Sequence, residues 1–285
     1  MTPSAKREAI GILVKEHHLP IQRACQIARY SRAAYYRPGR DRLERDRPVM
    51  DVLNGIVAEH GRWGFWKCYR RMRLVGHCWN HKRVHRVYCE MRLNLPRRTK
   101  RRVPKRSPLP MKAPLGLNQI WALDFMHDAL YCGRKFRTLN VIDEANREAL
   151  AIEIDSSLPS ARVIRLMEQL AEMNGLPAAI RCDNGTELTS HAFTDWCRDK
   201  GIHLAFIDPG KPDQNAFIER FNRSYREEVL SAYVFADLEE VRDITEAWRV
   251  SYNEERPHDA LGYLPPALYR ERVLKIEKSN SELST

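Results

Sequence analysis

The sequence lacks the features that mark secreted and membrane-spanning proteins. Its 285 residues include seven cysteines, and no two of them form a Cys-x-x-Cys pair. An odd number of scattered cysteines argues against a disulfide framework and fits a reducing compartment. No apolar run approaches the roughly 20 residues that cross a bilayer, and the N-terminus has no signal-peptide pattern. We therefore expect a cytoplasmic protein with no membrane partner.

The chain does have an excess of positive charge, and this excess is confined to its front part. The net charge is +11. Residues 1–116 contain 28 Lys/Arg and 8 Asp/Glu, whereas residues 117–285 contain 20 Lys/Arg and 29 Asp/Glu. A basic front half joined to an acidic back half indicates a polyanion-binding module attached to a module with another task. Nucleic acid is the commonest such polyanion.

Residues 1–40 are predicted to form a small helical region. Helices are expected over 4–17 and 21–28, with Ile10 on the buried side of the first. Ser31 is a good N-cap for a short third helix. Two short helices joined by a tight turn have the form of a helix-turn-helix, and a plain three-helix bundle fits the same pattern equally well.

Residues 41–96 are predicted to form a second helical region that binds DNA. Its predicted helices cover residues 47–59, 65–75 and 81–92. The last helix is capped by Asn80 and carries Lys82, Arg83 and Arg86, which suit a helix that enters a major groove. A solvated amphipathic helix is the alternative, and both can hold because a recognition helix must also pack on its own domain.

A basic segment punctuated by prolines follows over residues 97–116. Seven of the ten residues from Arg97 to Arg106 are basic and none is acidic. We interpret this segment as a linker. Its expected partner is a phosphate backbone, contacted without sequence preference. The residues assigned to DNA in this segment are Arg97, Arg98, Lys100, Arg101 and Arg102.

From residue 117 the pattern changes to alternating strands and helices, which continue to residue 275 before a polar tail over 276–285. Strands are predicted at 119–126, 137–143, 147–155, 178–182 and 202–207. Helices are predicted at 160–174, 190–200, 213–230 and 237–254. This order is that of an α/β ribonuclease-H-like domain, in which helices flank a mixed sheet.

Three acids occupy positions from which this layout can bring them together. Asp124 lies in the first strand, Asp183 directly follows the fourth, and Glu219 lies on the long helix. Magnesium ions prefer carboxylate oxygens. Two such ions can activate the attacking oxygen and stabilise the leaving oxygen in phosphodiester cleavage. Taken singly, each acid could be a surface or capping residue, because the chain has 37 acids.

The sequence around these acids resembles a known family. Asp183 begins the string Asp-Asn-Gly-Thr-Glu, and Glu219 ends the string Asn-Ala-Phe-Ile-Glu after 35 intervening residues. This pattern resembles the core of bacterial insertion-sequence transposases related to retroviral integrases, above all the insertion-sequence-three family. The stretch from Gly64 to Val84 looks like that family's helical DNA-binding region. The string Tyr-Asn-Glu-Glu-Arg-Pro-His over residues 252–258 is similar to its C-terminal signature.

The resemblance implies a DDE-type transposase that cleaves DNA at the 3′ ends of an element and joins strands. It implies that Asp124, Asp183 and Glu219 are the catalytic residues and hold two Mg²⁺ ions, for which Mn²⁺ can substitute. Arg226 stands where the family has a basic residue, and we expect it to be free to contact a DNA phosphate. The implied partners are double-stranded DNA, further copies of the chain and an upstream-frame protein, with the enzyme at the nucleoid.

Two alternatives to this function remain. One is a phage- or retrovirus-like integrase with a different joining pathway. The other is a DNA-binding regulator whose acidic domain is catalytically inactive.

Overall fold

A computed structural model describes residues 1–37, 42–96, 114, 116–207 and 215–282. Contacts divide the chain into two compact units, residues 1–52 and 53–285. This division falls inside a helix, whereas the sequence predicted boundaries near residues 40 and 116. The helices after residue 53 therefore belong to the same unit as the sheet.

Three helices lie entirely within the first unit, α1 (Pro3–Lys15), α2 (Ile21–Ile27) and α3 (Arg32–Tyr36). Ile10, Ala24 and Cys25 are buried together at its centre. The Ser31 hydroxyl accepts a hydrogen bond from the backbone N–H of Ala34 and so caps α3. The predicted helices and the buried position of Ile10 are confirmed.

Three more helices follow, α4 (Arg42–Glu59), α5 (Phe65–Leu74) and α6 (His81–Glu90). Helix α4 begins five residues before the predicted start and accommodates Pro48 in its interior. The side chain of Asn80 caps α6 as predicted. Helix α6 buries Val84, Val87 and Tyr88, so it has the core-facing side that either interpretation of this helix requires.

The second unit contains one five-stranded sheet. Its strands are β1 (Ile120–Ala129), β2 (Lys135–Asp143), β3 (Ala149–Asp155), β4 (Ala179–Cys182) and β5 (His203–Phe206). The order across the sheet is β3-β2-β1-β4-β5. Strands β1, β2 and β3 pair antiparallel, whereas β4 pairs parallel with both β1 and β5. This mixed sheet is the predicted ribonuclease-H-like arrangement.

Helices cover both faces of this sheet, and the alternation along β1 decides which face each residue meets. The helices are α7 (Ser160–Asn174), α8 (His191–Asp199), α9 (Ala216–Tyr225), α10 (Leu238–Glu254) and α11 (Pro266–Glu282). Trp121 and Leu123 pack in the core that includes α7 and α8. Ala122 packs in the core that includes Ile218 and Phe221 of α9. Asp124 is two residues beyond Ala122, so it lies on the α9 side.

Two segments differ from the sequence-based prediction. The helix expected over 213–230 is α9 followed by a π-helical turn, Arg226–Leu230, and residues 208–214 lie outside the described part. A π turn inside an α-helix is rare, so the sequence-based prediction treated the whole segment as one regular helix. Helix α11 extends to Glu282, so the segment expected to be a tail is helical through that residue.

None of the helices in the described part of the chain is both long and apolar enough to cross a membrane.

Candidate active site

The register of the sheet sets Asp124 and Asp183 level with each other. Ala122 of β1 is the partner of Arg181 of β4, and the same offset pairs Asp124 with Asp183, one residue beyond the end of β4. Cys182 is buried in the core on the α7 side. Because successive strand residues face opposite ways, Asp183 is directed to the side of the sheet on which Asp124 lies.

Helix α9 approaches Asp124 through a chain of side-chain amides. The Asn222 amide nitrogen donates to Oδ2 of Asp124 at 2.6 Å. The Asn140 amide of β2 in turn donates to Oδ1 of Asn222 at 2.6 Å. Glu219 precedes Asn222 by three residues and is exposed. The helix is thereby anchored to the sheet at the point where it carries Glu219.

The charges of the other two acids contribute to the electrostatics of Asp124. Burial raises the pKa of Asp124 to about 6, and the negative charges of Asp183 and Glu219 add to the rise. The backbone N–H of Phe125 and the Asn222 amide oppose it by donating hydrogen bonds to the carboxylate. The three acids therefore share one electrostatic environment, in which their repulsion favours a cation.

The donor set fits a hard divalent cation, although the three acids are not drawn tightly around one point. Carboxylate oxygens are the ligands that Mg²⁺ prefers. Among the described residues, the group of possible ligands whose atoms all lie within 4.8 Å of one another is Glu59, His60 and Glu255, not the three acids. Glu219 is the exposed member of the three, and its role as a metal ligand stays a prediction.

The loop after β4 is held by contacts that give Glu187 a structural position. The Glu187 carboxylate forms an ion pair with Arg137 of β2, which lowers the pKa of Glu187. The Gly185 N–H donates to Oδ1 of Asp183 at 3.1 Å. A Cβ on Gly185 would lie 3.0 Å from that same oxygen, so a larger residue at Gly185 would displace Asp183.

Arg226 is paired, contrary to the expectation of a free guanidinium. Its Nη1 lies 2.5 Å from Oδ2 of Asp128, and its Nη2 donates to the His127 carbonyl at 2.8 Å. Asp128 lies four residues beyond Asp124 on the same face of β1. Asn222 and Arg226 are likewise four residues apart, and they contact Asp124 and Asp128, respectively. A role for Arg226 at a phosphate stays a prediction.

The predicted DNA contacts in the front half have different environments. Lys82 is exposed, whereas Arg83 and Arg86 are half-buried, and Arg86 pairs with Glu90 at 3.0 Å. The remaining five residues assigned to DNA lie outside the described residues, namely Arg97, Arg98, Lys100, Arg101 and Arg102.

The C-terminal signature string proves to contain buried structural contacts that sequence reasoning missed. Arg256 is buried, and its Nη1 lies 2.5 Å from Oε2 of Glu228 in the π turn. The side-chain amide of Asn253 accepts from the Ala149 N–H at 2.9 Å and donates to the Ala149 carbonyl at 3.0 Å. The signature string over residues 252–258 was the available signal for these residues. Helical periodicity, however, does not indicate partners this far away in sequence.

Family models match most of the chain and define its class. A model described as an HTH-like domain matches residues 44–101. Two models described as integrase core domains match residues 115–212 and 200–266. With the mixed sheet, these matches make the chain a DDE-type polynucleotidyl transferase that has an integrase core behind an HTH-like domain.

The relatives narrow this class to a family. A 39.2 kDa protein of insertion element IS476 from Xanthomonas euvesicatoria is 36% identical over an alignment of 285 positions that covers 99% of this chain and 81% of that protein. A 31.7 kDa protein of insertion element IS407 from Burkholderia multivorans is 34% identical, covering 93% of this chain and 92% of its own length. The transposase InsD for insertion element IS2D from Escherichia coli is 27% identical, with 81% of this chain and 80% of that protein covered. The chain belongs to the insertion-element transposases that have an integrase core domain.

Proposed function

We propose that this transposase cleaves DNA at the ends of its element and joins the resulting 3′ ends to other DNA, using Asp124, Asp183 and Glu219. The observation that carries this proposal is the shared electrostatic environment of the three acids. The pKa of Asp124 is raised mainly by burial and further by the charges of Asp183 and Glu219, and α9 is anchored to Asp124 through Asn222. If the three acids were ordinary surface residues, no such contact between α9 and Asp124 would be required.

Each proposed step exchanges one phosphorus–oxygen bond for another. In the first step, water attacks a phosphodiester at the element end, and the P–O3′ bond breaks to leave a 3′-hydroxyl. In the second step, that hydroxyl attacks a second phosphodiester and releases the 3′-hydroxyl of the displaced strand. No covalent bond to the protein forms in either step.

The residues of the chain would bind metal and orient the reacting groups. The three carboxylates would hold two Mg²⁺ ions, or Mn²⁺ in their place, which when bound activate the attacking oxygen and stabilise the leaving one. The Asn222 amide and the Phe125 N–H keep the Asp124 carboxylate in one orientation. Glu219 completes the set from α9.

A strand-transfer assay with matched variants tests the assignment. Asp124→Asn, Asp183→Asn and Glu219→Gln should each abolish Mg²⁺-dependent cutting and joining of the element's own DNA ends, while end binding is retained. Asp195→Asn is the control, because Asp195 is exposed on α8 and pairs only with Arg198 in the described part. Normal strand transfer by Asp183→Asn would show the catalytic assignment to be wrong.

The same assay separates this function from its alternatives. An inactive regulator would bind the ends without joining them in any divalent cation. The resemblance to the insertion-sequence-three family implies that the first joining links the two ends of the element to each other. A phage- or retrovirus-like integrase would instead insert both ends directly into target DNA.

The proposal includes the partners that the resemblance implies. The enzyme would act on double-stranded DNA at the nucleoid, as an oligomer that holds two DNA ends. An upstream-frame protein would join it there. Co-purification of this chain with the product of the preceding reading frame, with and without DNA ends, tests that partner.

A further inference from the structure

A cavity of about 320 Å³ lies on the side of α9 away from Asp124. Helix α9 lines it with Phe217, Arg220 and Ser224, which recur at the three- and four-residue spacing of one helix face. Asn222, which contacts Asp124, is on another face of the same helix. Helix α9 thus separates this cavity from the three acids, and the two sites are only one helix apart.

The walls of the cavity have an excess of positive charge. The cationic residues are Lys67 of α5, Arg147 of the β2–β3 turn, Arg220 of α9 and Arg256. Arg256 is paired with Glu228. Within the described part of the chain, Lys67 and Arg220 form no ion pair. The cavity also has one acid, Asp259, which does not balance these charges.

Two polar atoms of cavity-lining residues are buried without a hydrogen-bond partner among the described residues. These atoms are Nη1 of Arg147 and Nε2 of His258. Burying a donor without a hydrogen-bond partner destabilises a protein, so such atoms point to a bound group that accepts hydrogen bonds. The Arg147 guanidinium lies 3.4 Å above the Phe217 ring, and this stacking fixes its position.

His258 is suited to donate a hydrogen bond without adding charge. Burial lowers the pKa of His258 to about 3, and the nearby cations Arg256, Lys67, Arg147 and Arg220 contribute to this lowering. The imidazole is therefore neutral near pH 7 and has one N–H to donate. A site with cations around a neutral donor matches a singly charged phosphodiester.

We propose that this cavity binds a backbone phosphodiester of DNA through Lys67, Arg147, Arg220 and His258. The inference rests on the proposed function for its choice of anion, because a transposase must hold DNA beside its catalytic acids. Trp66 stands at the cavity with 56% of its surface exposed, and its ring offers an apolar surface for the attached sugar. Helix α5 thereby contributes directly to the DNA surface of the integrase core.

The salt dependence of DNA binding by the full chain tests the site. Each phosphate contact contributes about 0.9 to the slope of log K against log salt concentration. Lys67→Gln and Arg220→Gln should each lower the magnitude of this slope by close to that amount. Arg165→Gln removes the same charge from an exposed position of α7, on the other face of the sheet, and should leave the slope unchanged. Arg220→Lys keeps the charge and should keep the slope.

Two outcomes would overturn the proposal. One is an unchanged slope in both Lys67→Gln and Arg220→Gln variants whose thermal unfolding matches the wild type. The other is an equal loss of slope in Arg165→Gln, because it would show that any surface cation contributes. Strand transfer measured in parallel keeps the two proposals apart: a lowered slope in an enzyme that never joins strands would contradict the proposed function and support this site.

Discussion

The Asn222 side chain donates a hydrogen bond to the Asp124 carboxylate at 2.6 Å, across 98 positions of sequence. Asn222 is itself held by the Asn140 amide. Both amides are buried. The contact therefore fixes the orientation of Asp124 and the position of the helix that carries Glu219.

We predict that Asn222→Ala lowers strand transfer at low Mg²⁺ concentrations. Loss of a side chain that orients a metal ligand typically costs about 10–100-fold in metal affinity or activity. When joining activity is titrated with Mg²⁺, the half-saturating Mg²⁺ concentration should rise by about 10–100-fold. Asn140→Ala leaves Asn222 able to reach Asp124 and should have a smaller effect. An unchanged Mg²⁺ titration in Asn222→Ala would contradict this positioning role.

The Arg226–Asp128 pair gives a test of whether Arg226 contacts DNA. If it binds a phosphate, Arg226→Ala should slow joining of pre-processed DNA ends while Asp128→Ala does not, because removal of Asp128 frees the guanidinium. If the pair only supports the fold, both variants should lose the same small stability, about 0.2–1 kcal/mol for a partly exposed ion pair. Arg223→Ala, at an exposed position of α9, should slow joining less than Arg226→Ala. The reverse order would exclude the phosphate role.

The buried Arg256–Glu228 pair predicts an acid-dependent loss of stability. Burial alone would raise the pKa of Glu228, but the attraction of Arg256 and hydrogen bonds from Arg256 and Trp248 outweigh it and leave the pKa below the ordinary value of 4.5. A carboxyl group whose pKa is lowered on folding contributes its full stability at pH values above its pKa in the unfolded chain. That stability is lost as pH falls through the lower folded value.

Arg256→Ala leaves the Glu228 charge buried and unpaired, so we expect a loss of roughly 3–5 kcal/mol. The combined variant Glu228→Gln with Arg256→Met should recover much of this loss and unfold with a weaker dependence on pH below 4.5. Thermal unfolding of the three proteins between neutral and acidic pH measures both effects. Equal stability of Arg256→Ala and the wild type would show that this pair does not support the fold.

The sequence by itself determined the class of fold and predicted which three acids form the catalytic set. The alternation of strands and the 3.6-residue period of helices are local properties, so nearly every predicted element is present within a few residues of its expected bounds. Asp183 and Glu219 were recognisable because they stand in strings that match a known family. The charge difference between the two halves was likewise a matter of composition.

Only the tertiary structure decided which side chains meet. Several contacts join residues that are far apart in sequence. These are the Arg226–Asp128 ion pair, the hydrogen bonds of Asn253 to the Ala149 backbone, and the contacts that line the cavity beside α9. Asn253 and Ala149, for example, are separated by 104 positions. Local periodicity contains no information about such partners, because they depend on how helices lie across the sheet. The same reason explains why α5, predicted to belong to a separate DNA-binding region, shares a compact unit with the integrase core.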